Sequence, residues 1–188
     1  MVPSALFVPD APRGIGAQVK GKIVHRLLQA LPDFAPGERA AAARRYLSRA
    51  VPGWGEAERA QLADNILGMV EDQRFAALFA EGSRAEVSVM GTIRIRGRDY
   101  AISGRVDRMG VTDNRVFVAD YKTNRVPPAS REEIPFAHTA QLALYAQVLS
   151  PLFPGKSVEC MLVYTEAPHL YSLSPEELEK ALLAISAG

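Results

Sequence analysis

The chain has 188 residues, with 22 Lys and Arg against 21 Asp and Glu and a formal charge of +1. Apolar residues make up 48% and charged ones 23%, which excludes wholesale disorder or a fibre, and no apolar run approaches the roughly 18 residues of a membrane span. The lone Cys160 rules out an internal disulfide, a four-cysteine zinc site and a cysteine-ligated iron–sulfur cluster within the chain.

The opening MVPSALFVPDAPRG lacks the basic start and apolar stretch of a secretory signal. With a single cysteine, this points to a reducing cytoplasm. Residues 1–18 read as an arm or linker, and 19–188 as one domain. Its helical part covers about 19–82 and its α/β core about 83–188. Ile23, Val24, Leu27, Leu28 and Leu31 form the stripe of an amphipathic helix over 19–31, ended by Pro32. Further helices are expected over 38–50 and 56–70, with a short one over 75–79. The period then drops to two: strands are expected over 84–95 and 98–106, joined around Gly97, and a third over 115–122. A helix over 138–149, a strand over 157–165 and a helix over 174–185 follow. Ser174 and Glu177 have the spacing of a capping box. This order specifies a mixed α/β fold, a sheet with helices packed on it.

The chemistry concentrates between Gly104 and Lys122. Alternation puts Val116, Val118, Asp120 and Lys122 on one face of the third strand, so that face ends in a carboxylate and an ammonium. Asp107 follows Val106, where the second strand is expected to end, and would approach Asp120 if the two strands are neighbours. Two carboxylates meeting in a partly buried cleft repel unless a proton or a cation intervenes. Mg²⁺ accepts two carboxylates plus a backbone carbonyl, for which Tyr121 is placed. Lys122 would then stabilise negative charge on a phosphate or hold a water. The alternative is a plain Asp120–Lys122 ion pair at a strand edge.

Gly104-Arg105-Val106-Asp107-Arg108, Asp120-Tyr121-Lys122-Thr123, Gln141-x-x-x-Tyr145 and the opening helix GKIVHRLLQALP together resemble the nuclease domain of the RecB family, nearest its AddA-type branch. The resemblance implies a restriction-endonuclease-like mixed sheet flanked by helices, with an N-terminal helical region and a PD-(D/E)-x-K active site. It implies a Mg²⁺-dependent deoxyribonuclease, with Mn²⁺ as substitute. This would be the exonuclease portion of an AddAB- or RecBCD-like complex for double-strand-break repair and recombination in the bacterial cytoplasm. Carried onto this chain, Asp107 and Asp120 would ligate the metal, His25 would be a further ligand, Lys122 the catalytic lysine and Glu86 the upstream acid. Gln141 and Tyr145, four apart on one helix face, would border the site and touch DNA. The implied partners are single-stranded DNA ends, the helicase region of a longer parent protein and an AddB-like subunit. No phosphate loop of the form G-x-x-x-x-G-K-[ST] is present, so the chain carries no ATP site of that kind. The alternative is a non-catalytic DNA-end-binding or subunit-docking module on the same fold, against which stands the presence of both acids and the lysine.

Other residues have plainer readings. Arg94, Arg96 and Arg98 alternate along the hairpin and project from one face. They form either a stripe that could run along a phosphate backbone or, the reading favoured, a soluble edge that discourages strand pairing. Arg108 is expected to pair with a carboxylate. His138 and His169 are expected in loops near prolines, Asp113 in its turn, and Tyr100 and Phe117 in the core.

Overall fold

The apolar stripe from Ile23 to Leu31 folds as part of helix α1 (Ile15–Ala30) in a computed structural model that describes residues 15–95, 97–123 and 126–185. Four residues assigned to the arm, 15–18, therefore extend this helix, while 1–14 lie outside the described residues, as does Arg96. Leu31, Pro32 and Asp33 close the helix in a single 3₁₀ turn. Helix α2 (Pro36–Ala50) starts on a proline, whose fixed φ suits a first helical turn, and α3 is Glu56–Glu71. The expected helix over 75–79 is replaced by a 3₁₀ turn, Gln73–Phe75, followed by plain turns. Asp72 nucleates that turn by accepting from the Arg74 N–H at 2.8 Å. Phe75 and Leu78 are fully buried as plugs under the three helices, which is why their spacing imitates a helix.

Strands β1 (Arg84–Ile95), β2 (Arg98–Val111) and β3 (Arg115–Lys122) are followed by α4 (Phe136–Leu149), β4 (Ser157–Tyr164), β5 (His169–Leu173) and α5 (Pro175–Ile185). They form one sheet in the order β1-β2-β3-β4-β5. All neighbours are antiparallel except β3 and β4, which α4 connects as a crossover. Two expectations change here. Strand β2 runs to Val111 rather than Val106, because residues 108–111 pair with 116–119 of β3, and so Asp107 lies inside the strand. The edge strand β5 was not foreseen.

Alternation along β3 sorts the core into two layers. Phe117, Ala119 and Tyr121 face the layer built by α1, α2 and α3. Val116 and Val118 face the layer of α4 and α5, with Cys160, Leu162 and Tyr164 from β4. Helix α4 is buried nearly all round, including His138, whose Nδ1 lies 3.1 Å from the Tyr164 hydroxyl. His138 is thus a helix residue and His169 opens β5; neither stands in a loop. The capping box forms as expected. Ser174 N–H donates to Glu177 Oε2 at 2.6 Å, and Glu177 N–H donates to Ser174 Oγ at 3.2 Å.

Candidate functional site

The sheet opens between its second and third strands. Paired residues of β2 and β3 end at Arg108 and Ala119, and the next step in the same register sets Asp107 opposite Asp120. Beyond that point β2 pairs with β1 and β3 with β4, leaving a cleft with α1 on one side and α4 on the other. The alternation of β2 changes phase here. Val106 packs into the α4 layer, yet Arg108, two residues on, reaches the carbonyls of Leu28, Gln29 and Leu78 in the opposite layer. Its partner in β1 changes phase too. Glu86 sits between the Ala85–Arg108 and Val87–Val106 pairs and has φ of 55°, the one positive φ outside glycine among the described residues. A left-handed residue facing a phase change directs Glu86 and Asp107 toward the cleft and α1 rather than into a layer.

Three side chains gather there. His25 Nδ1 stands 3.2 Å from Asp107 Oδ1, and the other Asp107 oxygen accepts the Tyr121 N–H at 2.6 Å. Glu86 completes the group: His25, Glu86 and Asp107 each offer a ligand atom, all within 4.8 Å of one another. The imidazole meets the Tyr121 ring edge-on, with centroids 5.7 Å apart. Gly21 permits this approach of α1, since a Cβ there would lie 3.2 Å from Thr123 Oγ1. A hollow of about 510 Å³ opens over His25 and Glu86, with Lys22, Arg26 and Thr123 in its walls.

Across the cleft stands a second chain of contacts. Asp120, 5% exposed, pairs with Lys122, whose Nζ lies 2.7 Å from Asp120 Oδ2. The contact is a close, buried ion pair in which the ammonium faces that oxygen directly. Lys122 Nζ donates to Gln141 Oε1 at 3.2 Å, Gln141 Nε2 donates to the Tyr145 hydroxyl at 3.3 Å, and that hydroxyl also accepts the Arg105 N–H at 3.2 Å. The lysine is thereby tied through α4 back to β2. Gly104 makes room: a Cβ there would collide with the Tyr145 hydroxyl and ring.

Electrostatics record the crowding of charge. Burial holds the Asp120 carboxyl above the usual carboxylate range, the Asp107 charge pushes it further, and Lys122 compensates only in part. Burial alone would lower the His25 pKa, but the hydrogen bond to Asp107 and the charges of Asp107, Asp120 and Glu86 outweigh it and raise it above 6.5. An imidazole and two carboxylates within ligand range, with the buried Asp120 carboxylate across the gap, are a donor set that fits a hard divalent cation. The histidine tilts the preference toward Mn²⁺.

The sequence-named residues thus fall into two sets. His25, Glu86 and Asp107 gather on the α1 side, and Asp120, Lys122, Gln141 and Tyr145 form a connected chain on the other. Tyr121 joins them through its N–H, and its buried hydroxyl has no hydrogen-bond partner. Arg108 does not pair with a carboxylate as expected. It is 2% exposed and donates to three main-chain carbonyls and to Ser83 Oγ, a good use of a cation at the carbonyl end of α1. Sequence reasoning missed Arg105, which pairs with Glu86 at 2.9 Å. It also missed Lys22 and Arg26, which line the hollow; for Lys22, three residues before His25, helical spacing was a usable signal. Arg94 pairs with Asp99 at 3.6 Å and bonds the Gly97 carbonyl.

No helix among the described residues is long and apolar enough to cross a membrane. Among solved structures, the chain is similar to that of SSO0001, at 19% identity over 91% of this chain and 84% of that one, with a TM-score of 0.37. It is also similar to protein VC1899 from Vibrio cholerae, at 14% identity over 95% of this chain and 57% of that one, with a TM-score of 0.31. None of the curated proteins matches it. The model of the PD-(D/E)XK nuclease superfamily matches residues 5–184, nearly the whole chain. The mixed five-stranded sheet flanked by helices is accordingly restriction-endonuclease-like, and the chain belongs to the PD-(D/E)XK nuclease superfamily.

Proposed function

We propose that the chain is a metal-dependent deoxyribonuclease that hydrolyses phosphodiester bonds. We read it as the exonuclease portion of an AddAB- or RecBCD-like repair complex in the bacterial cytoplasm. The observation that carries the catalytic reading is the open cleft between β2 and β3, with His25, Glu86 and Asp107 in mutual ligand range on one side and the Asp120–Lys122 pair on the other. These three side chains, with Asp120, would hold Mg²⁺ or Mn²⁺. A bound divalent ion supplies Lewis acidity and charge neutralisation for the phosphodiester.

The chain's own groups do the rest. Lys122 presents an ammonium to the negative charge that grows on the phosphate oxygens, the interaction that matters most in a water-poor site. Asp120 pairs with that ammonium, and Gln141, anchored by Tyr145, fixes its direction. Asp107 accepts the Tyr121 N–H, so its carboxylate is held in place by the backbone of β3. Glu86 acts as the upstream acid, with Arg105 balancing its charge. Single-stranded DNA ends as substrate, with a helicase region of a longer protein and an AddB-like subunit as partners, are supported by the order and spacing of the RecB-type motifs.

The test compares the wild-type chain with Asp120→Ala on single-stranded DNA in Mg²⁺, in Mn²⁺ and in EDTA. Cleavage by the wild type with either metal and a fall of about 10²–10³-fold in the variant are expected, the scale of losing a preorganised charge partner. Full cleavage by the pure variant excludes this site. Tight DNA binding without cleavage under either metal would identify a non-catalytic module.

A further inference from the structure

We propose that the groove between α1 and α2 is a track for single-stranded nucleic acid that leads into the cleft. This inference rests on the nuclease reading and names the path by which its single-stranded substrate reaches the cleft. The groove has a volume of about 250 Å³ and an apolar floor that includes Leu27 and Leu31. Arg26, Arg45 and Arg49 stand in its walls together with Phe34 and Tyr46, and no acidic residue lines it.

Charge is concentrated here. Helix α2 carries four arginines against Glu38 alone, a net +3 in a chain whose total is +1. Arg45 and Arg49 are exposed and lie one helical turn apart, about 6 Å along the axis, so both project from one ridge. Phe34 is a large apolar side chain left 38% exposed, and its turn is held from behind. Arg39 donates Nε to the Phe34 carbonyl at 3.1 Å and Nη2 to the Pro32 carbonyl at 3.4 Å.

Arginines interleaved with aromatic rings on an apolar floor suit an unpaired strand, whose phosphates need cations and whose free base faces need stacking partners. A duplex hides those faces and would use only the charge. Continuity comes from Arg26, which lines both this groove and the hollow over His25 and Glu86. A strand lying along α2 therefore crosses Arg26 to reach the cleft.

The experiment is fluorescence anisotropy of a labelled fifteen-nucleotide oligo-dT against the whole chain in EDTA, repeated over a range of salt. The Arg45→Ala/Arg49→Ala chain should bind at least tenfold more weakly, with the salt slope reduced by about 1.4, the loss of two single-strand phosphate contacts. Phe34→Ala should weaken binding about tenfold with the slope unchanged, as loss of one stacked base requires. All three positions are exposed, and Arg94→Ala/Arg98→Ala removes the same charge from the hairpin and should stay within twofold of wild type. Equal losses in the two double variants would overturn the proposal, as would absence of binding by the wild type. So would displacement of the oligonucleotide by poly-glutamate as readily as by unlabelled oligo-dT, which would mark the groove as a site for acidic protein. Digestion by the wild type with Mg²⁺ and Mn²⁺ is scored separately. Binding in EDTA without cutting keeps the track and refutes the nuclease, whereas cutting with undiminished binding by the Arg45/Arg49 variant does the reverse.

Discussion

Substituting Gly104 by alanine is expected to harm both the fold and the cleft, by a mechanism that a double-mutant cycle isolates. An added Cβ would stand 2.7 Å from Tyr145 Cε1 and 2.8 Å from Cζ, and it would collide with the hydroxyl. Ordinary carbon contacts begin near 3.5 Å, so something must move by most of an ångström. Tyr145 is 3% exposed and has no free space to enter. Overpacking of this kind costs about 1–3 kcal/mol. Displacing the ring also strips the acceptor from the Arg105 N–H and the anchor from Gln141, adding roughly 1 kcal/mol. A total of about 2–4 kcal/mol corresponds to a fall in Tm of roughly 5–15 °C for a chain of this size. Equilibrium urea unfolding in EDTA measures it. Tyr145→Ala alone should cost about 3–5 kcal/mol, but in that background the hydroxyl and ring atoms nearest the new Cβ are gone, and Gly104→Ala should add less than about 0.5 kcal/mol. Equal costs of Gly104→Ala in the two backgrounds would refute the steric argument.

Two further outcomes follow from the same contacts. Arg108→Met should destabilise the chain by about 2–4 kcal/mol in urea unfolding, since three carbonyls and Ser83 lose their donor; a change under about 0.5 kcal/mol would refute the carbonyl-clamp role. In the metal-free chain, NMR should titrate His25 above 6.5, and Asp107→Asn should lower it, because burial persists while the main opposing carboxylate is gone. A group whose folded pKa is raised stabilises fully below its unfolded value and loses that contribution as pH rises through the folded one. The stability advantage of wild type over His25→Gln should therefore shrink above pH 6.5.

Strand alternation was enough to read Asp120 and Lys122 onto one face, because β3 is regular from end to end. The helical stripe of α1 was legible for the same reason, and with it the position of His25 beside buried Leu27 and Leu28. What resisted reading was irregular or non-local. The end of β2 was misplaced because its side chains change faces at Asp107, so the pattern breaks where the strand does not. Strand β5 has five residues, too few to show a period against the turn before it. Arg108 looked like half of an ion pair because a sequence displays charges but not the carbonyls at the end of a helix. Gly104 could be recognised in a motif, but its cause lies 41 positions away on α4, in the ring of Tyr145.

The backbone at Glu86 links the fold to the cleft most directly, and a pair of substitutions separates its two properties. A left-handed residue other than glycine carries strain of about 1–2 kcal/mol, and here it turns a carboxylate toward His25 and Asp107. Glu86→Ala and Glu86→Gly both delete the carboxylate and the half-exposed Arg105 pair, a loss of about 0–1 kcal/mol common to the two. Alanine keeps the strain, whereas glycine relieves it at an entropic cost of about 0.5–1 kcal/mol. Glycine at 86 should therefore be more stable than alanine by roughly 0.5–1 kcal/mol in EDTA, while both variants lose Mn²⁺-induced stabilisation. An alanine variant as stable as the glycine variant would show that the conformation is unstrained. A glycine variant still stabilised by Mn²⁺ to the wild-type extent would show that the carboxylate is no ligand, and the φ of 55° would then serve only the phase change between the strands.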